Sequence, residues 1–200
     1  RALFESGAGG LTIGEPVPTF EHSFTAWPAP GTTALRLYAQ PNGSLAATAP
    51  TATSAASSYT FDPEAGRKSI LAPGGNVWDL LPDYTWPQPA AGSAVVFDSA
   101  PLAADTVMYG TASVDLWLRS PVDDADLEVN LTEIRPDGQE VYVQSGWIRA
   151  SLRGSAPTAT ELDPAPAYTE ALAAPLVPGT WTQVRVGTAG IQHAFRAGSR

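Results

Sequence analysis

Acyl transfer by a serine needs an imidazole base within hydrogen-bond reach of the hydroxyl and a carboxylate that orients the imidazole. The 200-residue chain has two histidines, His22 and His193, and no cysteine. His22 alternates with Phe20 and Phe24, and His193 is flanked at two-residue spacing by Ile191 and Phe195. That is the pattern of core or boundary histidines rather than of bases presented to a substrate. The nucleophile-elbow pattern G-x-S-x-G is absent as well. The residues therefore read as a chain that cleaves nothing by itself.

A second chemical possibility lies in "VDDADLE", where Asp123, Asp124, Asp126 and Glu128 crowd oxygen ligands of the kind hard cations prefer. The run lacks the glycine and distal glutamate of an EF-hand loop, so Asp123, Asp124 and Asp126 are weak calcium candidates beside the plainer reading of a solvated acidic turn. "GAGG" at 7–10 is too short for a phosphate-binding fingerprint and reads as a turn. Asn42 in "NGS" and Asn130 in "NLT" fit a glycosylation acceptor, but the first equally reads as a hairpin turn and the second falls on the polar side of a strand.

The third group is aromatic. Residues 61–92, "FDPEAGRKSILAPGGNVWDLLPDYTWPQPAAG", hold five prolines, two tryptophans, a tyrosine and four acids between two apolar strand-like runs. Unpatterned connections beyond about 12–15 residues are uncommon and usually functional or disordered, and aromatics this dense argue against disorder. Trp78, Tyr84 and Trp86 have three uses open to them: packing on another domain, covering the core of their own, or stacking on a ligand. Asp79 and Asp83 beside them would accept hydrogen bonds in each case.

The elements that must position these groups are strands. With 19 prolines and 18 glycines spread along the chain, no window carries helical apolar spacing over three turns. Period-two alternation appears instead in "FEHSFTAW" and in "SVDLWLRS", where Val114, Leu116 and Leu118 share a face. The clearest unit is "DLEVNLTEIRPDGQEVYVQSGWIRASL". Leu127, Val129 and Leu131 alternate, "PDG" at 136–138 turns, and Val141 and Val143 resume, predicting a long hairpin. Further strands are expected near 33–39, 94–98, 105–111 and 181–188. Residues 45–58 read as a surface excursion, and the proline-rich stretch 156–181 as the long return of a Greek key. The fold class expected is all-β, an antiparallel β-sandwich of jelly-roll type, with all 200 residues in a single domain. Its strands would begin in 1–39, the long loop would occupy 61–92 and the main sandwich 93–200.

Composition narrows the partners. Eleven basic and 20 acidic residues give a net charge of -9, which repels a phosphate backbone and makes nucleic acid an unlikely partner. No apolar run reaches bilayer-spanning length and "RALFESGAGG" has no signal-peptide form, so no membrane partner is implied and the chain reads as soluble. Without cysteine there is no disulfide framework, and export or retention stays open. No cofactor is implied. "RALF" reads like the middle of a strand and "IQHAFRAGSR" like a turn before a strand that does not follow. Both suggest a piece of a longer polypeptide.

"FDPEAGRKSILAPGG" resembles the Asp-Pro and glycine-pair motif of the C-terminal domain of cocaine-esterase-like and X-prolyl dipeptidyl-peptidase-like serine hydrolases, with Asp62, Pro63, Gly74 and Gly75 at the matching places. The likeness continues through Pro101, Leu102, Asp105 and Gly110, the acids Asp123, Asp124 and Asp126, the hairpin turn Pro136, Asp137 and Gly138, and Arg149 and Arg153. "FEHSFTAWPAP" and "FRAGSR" extend it over nearly the whole chain. Two departures stand out: Gly66, Arg67 and Lys68 where the family carries a second proline, and the lack of the final strands, which would leave a sheet edge open. The resemblance implies a galactose-binding-like jelly roll, non-catalytic, bracing an α/β-hydrolase catalytic domain of the same polypeptide and helping to wall its pocket. Trp78, Asp79, Tyr84 and Trp86 would then lie at the domain interface or pocket mouth. The rival reading is a free-standing carbohydrate-binding module, and a structural or oligomerising domain is the third.

Overall fold

The computed structural model describes residues 1–10, 13–51, 56–64, 71–76, 78–80, 82 and 84–200. Among these the strands run β1 (Ala2–Glu5), β2 (Pro18–His22), β3 (Tyr38–Ala39), β4 (Ser44–Ala46), β5 (Asp98–Ser99), β6 (Thr106–Gly110), β7 (Ser113–Leu118), β8 (Asp126–Ile134), β9 (Glu140–Arg149), β10 (Thr182–Gly187) and β11 (Ile191–Phe195). Among the described residues helix is confined to two short 3-10 turns, Ala150–Leu152 and Glu170–Leu172. The molecule is all-β, as the alternation and the proline and glycine content require.

The strands pair in four groups: β2-β1-β11-β6, β10-β7, β8-β9 and β3-β4-β5. Most pairings are antiparallel, but β1 runs parallel to β11 and β4 parallel to β5. Parallel neighbours cannot be joined by a tight turn, and both pairs are far apart in sequence. Residues 191–195, expected as a turn, are themselves a strand between β1 and β6.

The centre of the sandwich forms where β7 and β10 cover the hairpin of β8 and β9. Leu127, Ile148, Ala150, Leu176, Val184 and Val186 are buried together, with Leu116, Leu118, Ala125 and Val129 packed around them. Burying each large aliphatic side chain contributes about 1.5–3 kcal/mol. The pairing Val184↔Leu116 and Val186↔Val114 keeps these side chains on one face. The other face carries Asp115 paired with Arg185 at 2.5 and 2.7 Å.

The β8–β9 hairpin turns where "PDG" predicts it. Gly138 has a φ of 85°, its N–H donates to the Arg135 carbonyl at 2.8 Å, and Asp137 accepts from the Gln139 N–H at 3.0 Å. Its ladder contains an irregularity that alternation cannot reveal. Leu131 pairs with Gln144 and Thr132 with Tyr142, leaving Val143 as an extra residue on β9. One extra residue exchanges the two faces of a strand, so Val141 and Ile148, seven residues apart, are both buried.

Other elements are shorter than expected. Of 33–39 only Tyr38–Ala39 is strand, and of 94–98 only Asp98, in β5. Leu35 and Val96 are exposed, so no apposed sheet rewards extension there. β2 stops at His22, where its register reaches Ala2 of β1. The return 156–181 leads from β9 to β10 and is stitched down by Leu176 N–H to the Asp123 carbonyl at 2.7 Å and Gly179 N–H to the Ser120 carbonyl at 2.8 Å.

Candidate functional site

The aromatic loop divides in two. Tyr84 tilts against Tyr142 of β9 with ring centroids 5.1 Å apart, and Trp86 lies 6.2 Å from the same ring. The indole N–H of Trp86 donates to Glu140 at 2.8 Å, and Gln88 donates to the other oxygen of that carboxylate. Burial holds the Tyr142 phenol above its ordinary value, with the electrostatic influence of Tyr84 acting in the same direction. This half covers the domain's own core. The other half points outward: Trp78 is 87% exposed and Leu80 is 95% exposed. A local frame fixes the backbone at that tip, with Trp78 N–H donating to Asn76 Oδ1 at 3.1 Å and Asn76 N–H to Asp79 at 3.2 Å. Asp83 lies outside the described residues.

The acidic turn is engaged with its own neighbours. Asp124 accepts from the Ser151 N–H at 2.9 Å, the Ser151 hydroxyl at 2.6 Å and the Ala125 N–H at 2.9 Å. Burial acts to raise its pKa, but these bonds outweigh it and hold the carboxyl below the usual range. Asp126 is clasped by Arg149 at 2.8 and 2.9 Å, and that hydrogen-bonded pair lowers its pKa. Asp123 is exposed, and its carbonyl serves Leu176. Among the described residues no three histidines, cysteines or acids converge on a point where a metal ion would sit.

A further cluster of charge is internal. His193 is wholly buried, with Nδ1 against Glu5 and Nε2 3.0 Å from Glu133. Burial disfavours its cation, but hydrogen bonds to Glu133 and Glu5 prevail and raise its pKa. Burial likewise pushes Glu133 up, and hydrogen bonding to His193 leads the contributions that turn the net shift downward. Glu5 also accepts the Gly7 N–H at 2.6 Å, holding the turn after β1. The cluster ties β1, β8 and β11 together. His193 cannot reach a substrate, and His22 is exposed beside Phe24, 4.7 Å between centroids. Among the described residues, no accessible serine, imidazole and carboxylate come together.

Comparison with known proteins agrees with that arrangement. Residues 6–200 match the family described as the X-Pro dipeptidyl-peptidase C-terminal non-catalytic domain. The chain belongs to this family. Two solved structures of a CocE/NonD family hydrolase from Staphylococcus aureus are similar to it at 20% identity, with TM-scores of 0.46 and 0.45; each match covers 50% of this chain and 20% of the longer one. No sequence among curated proteins matches it.

In this C-terminal non-catalytic domain the motif residues turn out to make turns and seams. Asp62 accepts the Glu64 N–H at 2.9 Å across Pro63. Gly74 takes a φ of 84° and Gly75 N–H donates to the Ala72 carbonyl at 2.8 Å, closing a turn. Leu102 exchanges backbone bonds with Ser199 at 2.7 Å and Gly198 at 2.8 Å, while Asp105 accepts from Arg196 and the Ala197 N–H, both at 2.9 Å. The segment 101–105 is thus sewn to "FRAGSR". Sequence reasoning missed Glu5, Glu133 and Glu140. A signal for Glu133 existed: it shares parity with Leu127, Val129 and Leu131, so a carboxylate was already pointing into a core that also held a histidine.

Proposed function

We propose that these 200 residues act as one accessory domain that braces an α/β-hydrolase catalytic domain of the same polypeptide, an acyl esterase or X-Pro dipeptidyl-peptidase of the serine type. The outward half of the aromatic loop, 74–92, and the acidic turn at 120–126 face that domain or the mouth of its pocket. The observation carrying this reading is the tip of the loop. Trp78 and Leu80 are bare while Tyr84 and Trp86, a few residues on, are anchored. Apolar side chains held out on a fixed frame mark a contact surface.

The catalytic residues belong to the neighbouring domain in this scheme. The contribution made here is to hold its pocket wall in position, so loss of the contact raises KM or lowers stability rather than abolishing chemistry. The test is Trp78→Ala together with Leu80→Ala in the full polypeptide. A melting temperature several degrees lower, or a substantially raised KM, is the expected result. Unchanged melting together with unchanged kinetics would overturn the proposal.

A further inference from the structure

A second aromatic surface lies away from the loop tip. Trp147 of β9 and Tyr168 of the return segment, 56% and 57% exposed, line a groove of about 300 Å³. Neither ring makes a ring contact or hydrogen bond with another described residue, and more than half of each side chain is open to solvent. The floor is rigid. A Cβ on Gly146 would meet the Gly187 carbonyl oxygen at 2.0 Å, and Ala189 N–H donates to the Ser145 carbonyl at 3.0 Å. Tyr168 is also the one described non-glycine residue at positive φ, 49°. Strained backbone of this kind in a bulky residue clusters at ligand clamps.

The polar lining selects the occupant. Thr111 donates its hydroxyl to the Leu162 carbonyl at 3.2 Å, and the Thr188 hydroxyl is engaged with Ala112. Asp163 lines the same groove, and its carboxylate makes no hydrogen bond or ion pair among the described residues. Glu128, directly across the ladder from Trp147, is equally unpaired. Arg149, two residues further along that face, is already held by Asp126. The groove therefore offers two aromatic rings and one unneutralised carboxylate, and no cationic side chain lines it, on a chain of net charge -9. An anion would be repelled, and a neutral sugar would leave the charge of Asp163 uncompensated. An organic cation satisfies both features, because ring faces and carboxylates attract it together.

From this we infer that the groove between Trp147 and Tyr168 is a binding site for an alkylammonium or guanidinium group, with Asp163 as its counter-ion. The cation arrives either as a free small molecule or as a basic side chain of the same polypeptide, and the experiment separates the two. The inference does not depend on the proposed hydrolase partnership.

The full polypeptide is labelled with 5-fluorotryptophan, the Trp147 signal is assigned through Trp147→Phe, and choline is titrated against its neutral isostere 3,3-dimethyl-1-butanol and against glucose. A saturable shift with choline, weakened roughly fivefold or more both in the isostere and in Asp163→Asn, is expected for a free cation. No shift, combined with a lower melting temperature for Asp163→Asn, identifies a basic side chain already in place, since the Asp163 carboxylate has no partner among the described residues to lose. The inference is overturned by an equal or stronger response to the isostere or to glucose. It is also overturned by choline binding that survives Asp163→Asn unchanged, or by the absence of both a shift and a melting change.

Discussion

His193 Nε2 lies 3.0 Å from Glu133 Oε2 with neither residue more than 1% exposed, so an imidazole and a carboxylate face each other inside the sandwich. The pair makes stability depend on pH on both the acid and the alkaline side. The pKa of His193 is raised above its ordinary 6.5, so its contribution is complete below that pH and is lost as pH rises through the folded value. That of Glu133 lies below its ordinary 4.5, so its contribution is complete above that pH and is lost as pH falls through the folded value. Urea midpoints should form a plateau between pH 4.5 and 6.5 and decline on both sides. His193→Gln should remove the alkaline decline, and a decline of undiminished size in that variant would assign it elsewhere. Because Glu133→Gln leaves the cation with one carboxylate, it should cost about 3 kcal/mol near pH 6.

Gly146→Ala should be among the most damaging single substitutions. A Cβ there would stand 2.0 Å from the Gly187 carbonyl oxygen and 2.7 Å from the Thr188 Cα, both backbone atoms that no rotamer change relieves. The expected loss is about 3 kcal/mol or more. At Gly154 the obstruction is the Leu172 Cβ at 2.8 Å, a smaller overlap that a shift of the short exposed 3-10 turn Glu170–Leu172 relieves, so Gly154→Ala should cost less. Equilibrium denaturation of the two variants side by side checks the order.

The two halves of the aromatic loop should respond oppositely. Trp86→Ala removes a ring from Tyr142 and leaves Glu140 without its indole donor, a loss of about 1–2 kcal/mol in any setting. Trp78→Ala should change the intrinsic stability of this domain by less than about 0.5 kcal/mol, because the side chain touches solvent. A large cost for Trp78→Ala would be informative only if it vanished when the neighbouring domain was removed or altered. Hydrogen exchange at residues 140–145 distinguishes the two cases.

The acidic turn should also divide. Asp124→Ala deprives three donors of their acceptor and should cost about 1–2 kcal/mol. Asp126→Ala breaks an exposed pair with Arg149 and should leave the unfolding midpoint nearly unchanged. Millimolar calcium should not raise the melting temperature, since Asp124 and Asp126 already have partners. A calcium-dependent rise lost in Asp124→Ala would reverse that assignment.

Much of the hairpin was legible because its determinants are local. Alternation in 127–131, the Pro-Asp-Gly turn and the resumption at Val141 are properties of adjacent residues, and the fold reproduces them. The cover formed by Tyr84 and Trp86 was one of three open possibilities, because composition alone does not say on which surface an aromatic lands. The alternation that puts both histidines at core or boundary positions fails for His22, which is exposed, and holds for His193, which is buried. Its partners were not found, since Glu5 is 188 residues away and Glu133 is 60 residues away. The short strands near 38 and 98 were overextended for the same reason: alternation gives a tendency to extend, while a hydrogen-bonded partner decides whether a strand exists.

By itself the sequence determined the all-β class, the position of the long hairpin and, through its motifs, the kinship with a non-catalytic domain. These follow from residue type and short-range spacing, where side-chain period and backbone preference act directly. The tertiary structure alone decided that β1 lies parallel to β11, that Val143 is the extra residue exchanging the faces of β9, that Glu5 and Glu133 close on His193, and that Trp147 meets Tyr168 across a groove. Each of those depends on which distant strands come together, and nothing in local spacing encodes the identity of a partner brought there by burial of the common core.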